Sequence, residues 1–164
     1  MKKDNEAFFQ DLLQNLGDGV YFVDRDRRIT YWNASAERLS GFSSGEVIGK
    51  RCMNNVLMHT DERGRILCTS DCPLAHTISD GQPREAEVFL RHREGHRVPV
   101  RIRTSPISDD SGRIIGAVEV FSNNSAKVRL AEQLAEMDRQ AHLDPVTQLA
   151  NRRFVESSLR ARLE

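Results

Sequence analysis

The chain has 164 residues, 38% hydrophobic and 29% charged, with 24 basic side chains against 24 acidic ones. This is a globular composition with enough apolar material for one core, and a net charge of zero removes any overall electrostatic case for nucleic acid or an anionic membrane. No apolar run reaches the roughly 18 residues of a membrane span and the start MKKDNEAFFQ lacks a signal-peptide core, so the expectation is a cytoplasmic chain without a disulfide framework.

In chain order, residues 5–16 place Phe8, Phe9, Leu12, Leu13 and Leu16 at helical spacing, and Gly17 ends the pattern. GVYFVD and RRITYW follow as two strand-like runs around the turn Asp24-Arg25-Asp26-Arg27, after which Asn33 caps a helix through Leu39 that Gly41 closes. In FSSGEV, Ser43 and Glu46 have capping-box spacing, with Phe42 and Val47 at the hydrophobic-staple positions, so a short helix starts there and stops at Gly49. Residues 50–70 have no clean period and read as irregular. Pro73 suits the first turn of a helix running to about Asp80, with Gly81 as its stop.

The C-terminal half is β. Ala86, Val88 and Leu90 alternate with polar or aromatic residues, as do Val98, Val100 and Ile102, and a third strand is RIIGAVEVF. For the even-numbered residues to share one dry face, the hairpin loop must have odd length. Glu94-Gly95-His96 fits, and that register sets Glu87 opposite Arg103. Arginines 91, 93, 97, 101 and 103 interleave with Glu85, Glu87, Glu94 and Glu119, which describes a salt-bridged outer face, with His92 and His96 solvated beside the loop. Residues 126–142 turn helical, with Leu130, Leu134, Met137 and Ala141 in one stripe. The stripe is either a coiled-coil seam of about two heptads or a helix packed back on its own domain.

This element order, together with GDGVYFVDRDRRITYWNASAERLSGFSSGEVIGK at residues 17–50, resembles the PAS sensor domains over about residues 7–122. The resemblance implies an α+β fold: a PAS-like antiparallel five-stranded sheet with short helices on one face, plus the N-terminal amphipathic helix and a C-terminal linker helix. It also implies a homodimer through those two helices and the domain, and an interior that holds a small-molecule ligand in some members. Arg27 stands where the family often has Gly, which is expected to change the turn type.

"DPVTQLANRRF", residues 144–154, resembles the start of the GGDEF domain of diguanylate cyclases, whose usual form is Asp-x-Leu-Thr-Gly-Leu-x-Asn-Arg-Arg. Asp144, Thr147, Leu149, Asn151, Arg152 and Arg153 match; Val146 and Gln148 depart from it. Physically, Asp144-Pro145 ends the connecting helix and Asn151 caps a new one. The expected organisation is an N-terminal helix at 1–17, the sensor domain at 18–123, a coiled-coil signalling linker at 124–143 and a truncated GGDEF start at 144–164. The family's Gly-Gly-Asp/Glu-Glu-Phe loop does not occur in these residues, nor does any Gly-rich phosphate loop. The expectation is therefore a non-catalytic piece of a cyclase that uses GTP. The competing expectation is the sensor of a histidine kinase with His142 as phospho-acceptor, although Pro145 interrupts the helix such a motif needs.

Cys52, His59, Cys68, Cys72 and His76 form the remaining constellation. Cys68, Cys72 and His76 are spaced as Cys-x3-Cys-x3-His, and sulfur with imidazole is a ligand set for zinc, copper(I) or an iron–sulfur cluster. On a helix from Pro73, however, Leu74 and Ile78 share one face and Cys72 and His76 another. If the first pair faces the core, His76 faces solvent and the cysteines are small buried apolar groups. A redox thiol at Cys72, near a helix N-terminus, is a third reading. Haem through His76 is a fourth, implied by the family resemblance alone. No cofactor at all stays open beside a metal, an iron–sulfur cluster and haem.

Overall fold

The computed structural model describes residues 2–54 and 56–142, with side chains described from residue 7 to residue 140 apart from position 55. Five antiparallel strands lie in the order β2-β1-β5-β4-β3. They are β1 (Gly19–Asp24), β2 (Ile29–Trp32), β3 (Arg84–Arg91), β4 (Arg97–Ser108) and β5 (Ile114–Asn123). The helices are α1 (Lys2–Gln14), α2 (Ala34–Ser40), α3 (Ser44–Val47), α4 (Pro73–Asp80) and α5 (Ser125–His142). This is the expected α+β architecture. The chain divides into two units, the first ending at Ser125 and containing the whole sheet, the second beginning at Ala126 and containing most of α5.

The core lies on one face of the sheet. Val88, Leu90, Val100, Ile102, Ala117 and Phe121 point inward and are buried, and Ala36 of α2, Val47 of α3 and Leu74 and Ile78 of α4 pack over them. Helix starts and stops follow the local chemistry. Asn33 caps α2 and Gly41 ends it at φ 77, Ser43 N–H donates to the Glu46 carboxylate at 2.9 Å before α3, Pro73 opens α4, and Gly81 ends α4 at φ 74. Helix α1 stops at Gln14, two residues short of the expected Leu16.

The β3–β4 register corrects one expectation. Even-numbered residues do pair with even, as in Val88 with Val100, but Arg103 lies opposite Glu85 and Glu87 opposite Arg101. The loop is Arg93-Glu94-Gly95, one residue earlier than expected. Gly95 N–H donates to His92 O and His92 N–H to His96 O, both at 2.9 Å. A type I turn closed by a left-handed residue requires that residue at the last loop position, and Gly95 at φ 94 supplies it there. Arg103 and Arg101 both reach Glu85, at 2.9 and 3.1 Å.

The β1–β2 loop has the same form, so the expected change of turn type does not occur. Arg27 takes the left-handed position itself at φ 60, its N–H donating to Asp24 O at 3.0 Å. Its guanidinium then donates to Cys68 O at 3.1 Å, a contact that glycine lacks.

Residues 56–70 are more ordered than the lack of periodicity suggested. Thr60 bridges both Ile66 and Phe89, and Leu67–Thr69 form a single 3-10 turn. Thr60 N–H donates to Phe89 O at 2.9 Å and Phe89 N–H to Thr60 O at 2.8 Å, so this segment docks along the free edge of β3. Periodicity is silent here because the order comes from pairing with a distant strand.

Candidate functional site

A polar row crosses the inner face of the sheet. Glu119 on β5 has Tyr21 of β1 opposite it on one side and Thr104 of β4 on the other. All three are at least 99% buried. Thr104 shares a hydrogen bond of 2.8 Å with Thr77 of α4, which completes the row. Glu119 was expected on the outer face. It turns inward because Ala117, Glu119 and Phe121 alternate together and Phe121 pairs with the buried Ile102.

His59 closes over this row. Its segment is held in place by the Thr60–Phe89 bridge and by Leu67 N–H donating to His59 O at 2.8 Å. The His59 Nε2 atom stands 3.5 Å from Glu119 Oε1, longer than a good hydrogen bond. His59 Nε2 and both Glu119 carboxyl oxygens are buried without a well-formed hydrogen bond, the Tyr21 hydroxyl standing as the neighbouring donor to Glu119. Each such group costs about 1–3 kcal/mol relative to a satisfied one.

Burial sets the protonation of both groups. It pushes the Glu119 carboxyl up to about 8, against a smaller opposing pull from the nearby Tyr21 hydroxyl, and it lowers the His59 imidazole to about 4. Near neutral pH the centre is therefore a largely protonated acid facing a neutral imidazole. Burial followed by the Glu119 charge raises Tyr21 as well.

The three cysteines surround this centre as buried thiols. Burial raises Cys52 strongly, with Glu119 next in effect, and raises Cys68 to about 11, with Cys72 next. Cys72 sits at the N-cap of α4. His76 lies one turn further along that helix, its N–H donating to Cys72 O at 3.1 Å, but its half-exposed ring turns outward, with Nε2 3.2 Å from the Asp71 carboxylate. The structure therefore does not bring Cys68, Cys72 and His76 together as the spacing suggested. Donor atoms of no three among Cys52, His59, Cys68, Cys72 and His76 lie within 4.8 Å of one another. Of the residues singled out from sequence, His59 joins the polar centre and the cysteines line it. Glu119, Tyr21 and Thr104 were missed; the alternation of β5 against Phe121 was the available signal.

A second buried polar side chain is fully satisfied. The Asn33 carboxamide oxygen accepts from Val20 N–H at 2.9 Å and Ala36 N–H at 2.8 Å. Its amide donates to Leu13 O at 2.9 Å and Asp18 O at 3.0 Å, so Asn33 fastens the end of α1 to β1 and α2. This docking explains why α1 stops at Gln14: the chain beyond it must bend to present the Asp18 carbonyl.

The expected linker stripe is exposed on α5, with Leu130, Leu134 and Met137 all more than half accessible. The Ala141 side chain and the motif Asp144, Thr147, Leu149, Asn151, Arg152 and Arg153 lie outside the described residues. No helix among the described residues is long and apolar enough to cross a membrane.

A five-stranded antiparallel sheet with short helices over one face and a polar centre between them is a sensory-domain architecture. The chain belongs to the PAS fold family, whose model matches residues 7–122. It is 28% identical to the probable diguanylate cyclase DgcE of Escherichia coli over 174 aligned residues, covering 100% of this chain and 15% of that protein. It is 25% identical to the signal transduction histidine-protein kinase AtoS of Escherichia coli, covering 80% of this chain and 20% of that protein. A PAS domain of a Colwellia psychrerythraea protein superposes with a TM-score of 0.60 at 19% identity, covering 75% of this chain and 97% of that one. The chain thus spans a fifth or less of the length of these two curated relatives.

Proposed function

We propose that this chain is a non-catalytic sensory and dimerising module that controls a diguanylate cyclase joined after it. The observation that supports this reading is the extent of the likeness to DgcE, which runs over 100% of the chain and so spans positions 144–153, whereas the likeness to AtoS covers 80%. The histidine-kinase reading also needs a helix continuing past His142, which Pro145 opposes.

The input enters at the Glu119–His59 centre, where unpartnered buried groups offer hydrogen bonds to a small polar ligand. The output leaves through helices with exposed apolar stripes: Phe8, Phe9 and Leu12 on α1, and Leu130, Leu134 and Met137 on α5. A second copy of the chain covers both stripes, and two dimer arrangements of similar free energy bring two cyclase domains together or hold them apart.

The test uses the parent protein and follows conversion of GTP to cyclic di-GMP. Leu134→Glu is expected to convert the 164-residue chain from dimer to monomer in sedimentation and to lower cyclase output of the parent at least tenfold. A parent that makes no cyclic di-GMP, or that phosphorylates His142 from ATP, overturns the reading.

A further inference from the structure

The tip of the β3–β4 hairpin carries a polar cluster separate from the buried centre. His92 and His96 close the three-residue loop, and this pairing stacks their rings with centroids 4.2 Å apart and 23° between planes. Glu94 rises from the loop on the same side. One of its carboxylate oxygens stands 3.7 Å from His92 Nδ1 and 3.9 Å from His96 Nδ1. Among the described residues, this is the set in which three metal-ligating donor atoms lie within 4.8 Å of one another.

The rings are also turned the right way. A Cβ built on Gly41 would lie 2.7 Å from His92 Nε2, so that edge of the ring is packed against α2's end and the Nδ1 edge faces the cluster. Glu94 N–H donates to His92 Nδ1 at 3.2 Å, which assigns the ring proton to Nε2 and makes Nδ1 the basic nitrogen, its lone pair turned to the loop that carries Glu94. His92 was expected to be solvated; it is instead a largely buried ring whose Nδ1 faces the exposed Glu94 carboxylate.

We propose that His92 Nδ1, His96 Nδ1 and a Glu94 carboxylate oxygen bind one divalent transition-metal ion, with zinc as the probe. Two imidazole nitrogens and one carboxylate suit zinc with a fourth position left to water. The set has too much nitrogen for calcium or magnesium and no sulfur for copper(I). With bonds of about 2.0–2.1 Å and tetrahedral angles, donors stand roughly 3.3 Å apart. The exposed Glu94 and His96 side chains close the remaining gap by rotation, without movement of the strands. The ion takes the Nδ1 lone pair from the Glu94 amide, and solvent replaces that hydrogen bond at the loop.

A bound ion braces the hairpin tip, and the tip is tied to the helices over the sheet. Arg93 N–H donates to Ser40 O at 2.8 Å, and the Arg93 guanidinium pairs with Glu46 at 3.0 Å. Metal occupancy thus stiffens the link between the hairpin and the ends of α2 and α3, an input distinct from the interior.

The experiment titrates chelator-treated 164-residue protein with zinc chloride in competition with a chromophoric chelator. One zinc per chain is expected, weakened about tenfold or more by His96→Ala and by Glu94→Gln, the scale on which lost metal-site contacts act. His96 is exposed, so unchanged circular dichroism in His96→Ala separates lost ligation from lost folding. Cobalt(II) substitution reads the donor atoms directly: weak visible bands without thiolate charge-transfer absorption are expected. No bound zinc, unweakened binding in His96→Ala, or a thiolate band in the cobalt form overturns the proposal.

Discussion

Asn33 and Glu119 are both buried polar residues at strand-adjacent positions, yet their surroundings differ completely. Asn33 has four partners, each within 3.0 Å, and joins three elements. Neither Glu119 carboxyl oxygen makes a well-formed hydrogen bond, and the His59 Nε2 atom beside it makes none either. A buried polar group with every bond made is a structural fastening. A pair left unmade in a well-packed core opposes stability.

The largest expected effect breaks the fastening. Asn33→Ala strands two backbone N–H groups and two carbonyls, at roughly 1 kcal/mol or more each, and is expected to destabilise the chain by about 3 kcal/mol or more in urea unfolding. A loss below about 1 kcal/mol would remove the contrast between the two residues. Glu119→Met, which replaces an unsatisfied carboxyl by an apolar group of similar size, is expected to act in the opposite direction, raising stability at pH 8 by up to about 2 kcal/mol. Destabilisation of that size would mean that the carboxyl has partners in solution.

The pH dependence sharpens the same point. Glu119 binds its proton more tightly folded than unfolded, so its contribution is complete below the ordinary carboxyl range and is lost as pH rises toward about 8. His59 binds its proton less tightly folded, so its contribution grows as pH rises from about 4 to 6.5. The two oppose each other at acidic pH, and Glu119 acts alone between about pH 6.5 and 8. Unfolding free energy should fall across that window by at most about 1.4 kcal/mol per pH unit. Glu119→Gln should flatten the slope. A wild-type profile already flat there would show the carboxyl ionised throughout.

The smallest effect concerns the thiols around the centre. All three cysteines are buried, so a disulfide reagent at pH 7.5 is expected to modify them slowly in the native protein and all three rapidly in urea. One fast native thiol would place redox chemistry at that cysteine instead of polar recognition at Glu119.

Much of the fold was legible because its signals are local. Asn33, Gly41, Pro73 and Gly81 mark helix ends through chemistry acting within one turn, and the alternation of Val98, Val100 and Ile102 marks a strand with one dry face. The hairpin missed by one residue because its register depends on which loop position takes the left-handed conformation, and Gly95 satisfies two loop placements on paper. The site was less legible. His59 and the cysteines stood out by residue type, but the Cys68, Cys72 and His76 spacing described a ligand set whose donor atoms do not converge, because the His76 ring turns out to Asp71. Glu119 was hidden because it was grouped with the arginines of β3 and β4, of which Arg101 and Arg103 pair with Glu85 on the exposed face while Glu119 is buried.

By itself the sequence determined where elements begin and end, which strand faces are dry, and the family to which the order of elements points, since each of these follows from interactions among residues close along the chain. Only the tertiary structure decided that Tyr21, Glu119 and Thr104 share a row under His59, and that the Glu119 carboxyl in it lacks the well-formed bonds that Asn33 has. The physical reason is distance along the chain. Residue 59 meets residue 119 because an edge bridge at Thr60 and Phe89 holds one segment over a strand sixty residues later, and no local pattern encodes that meeting.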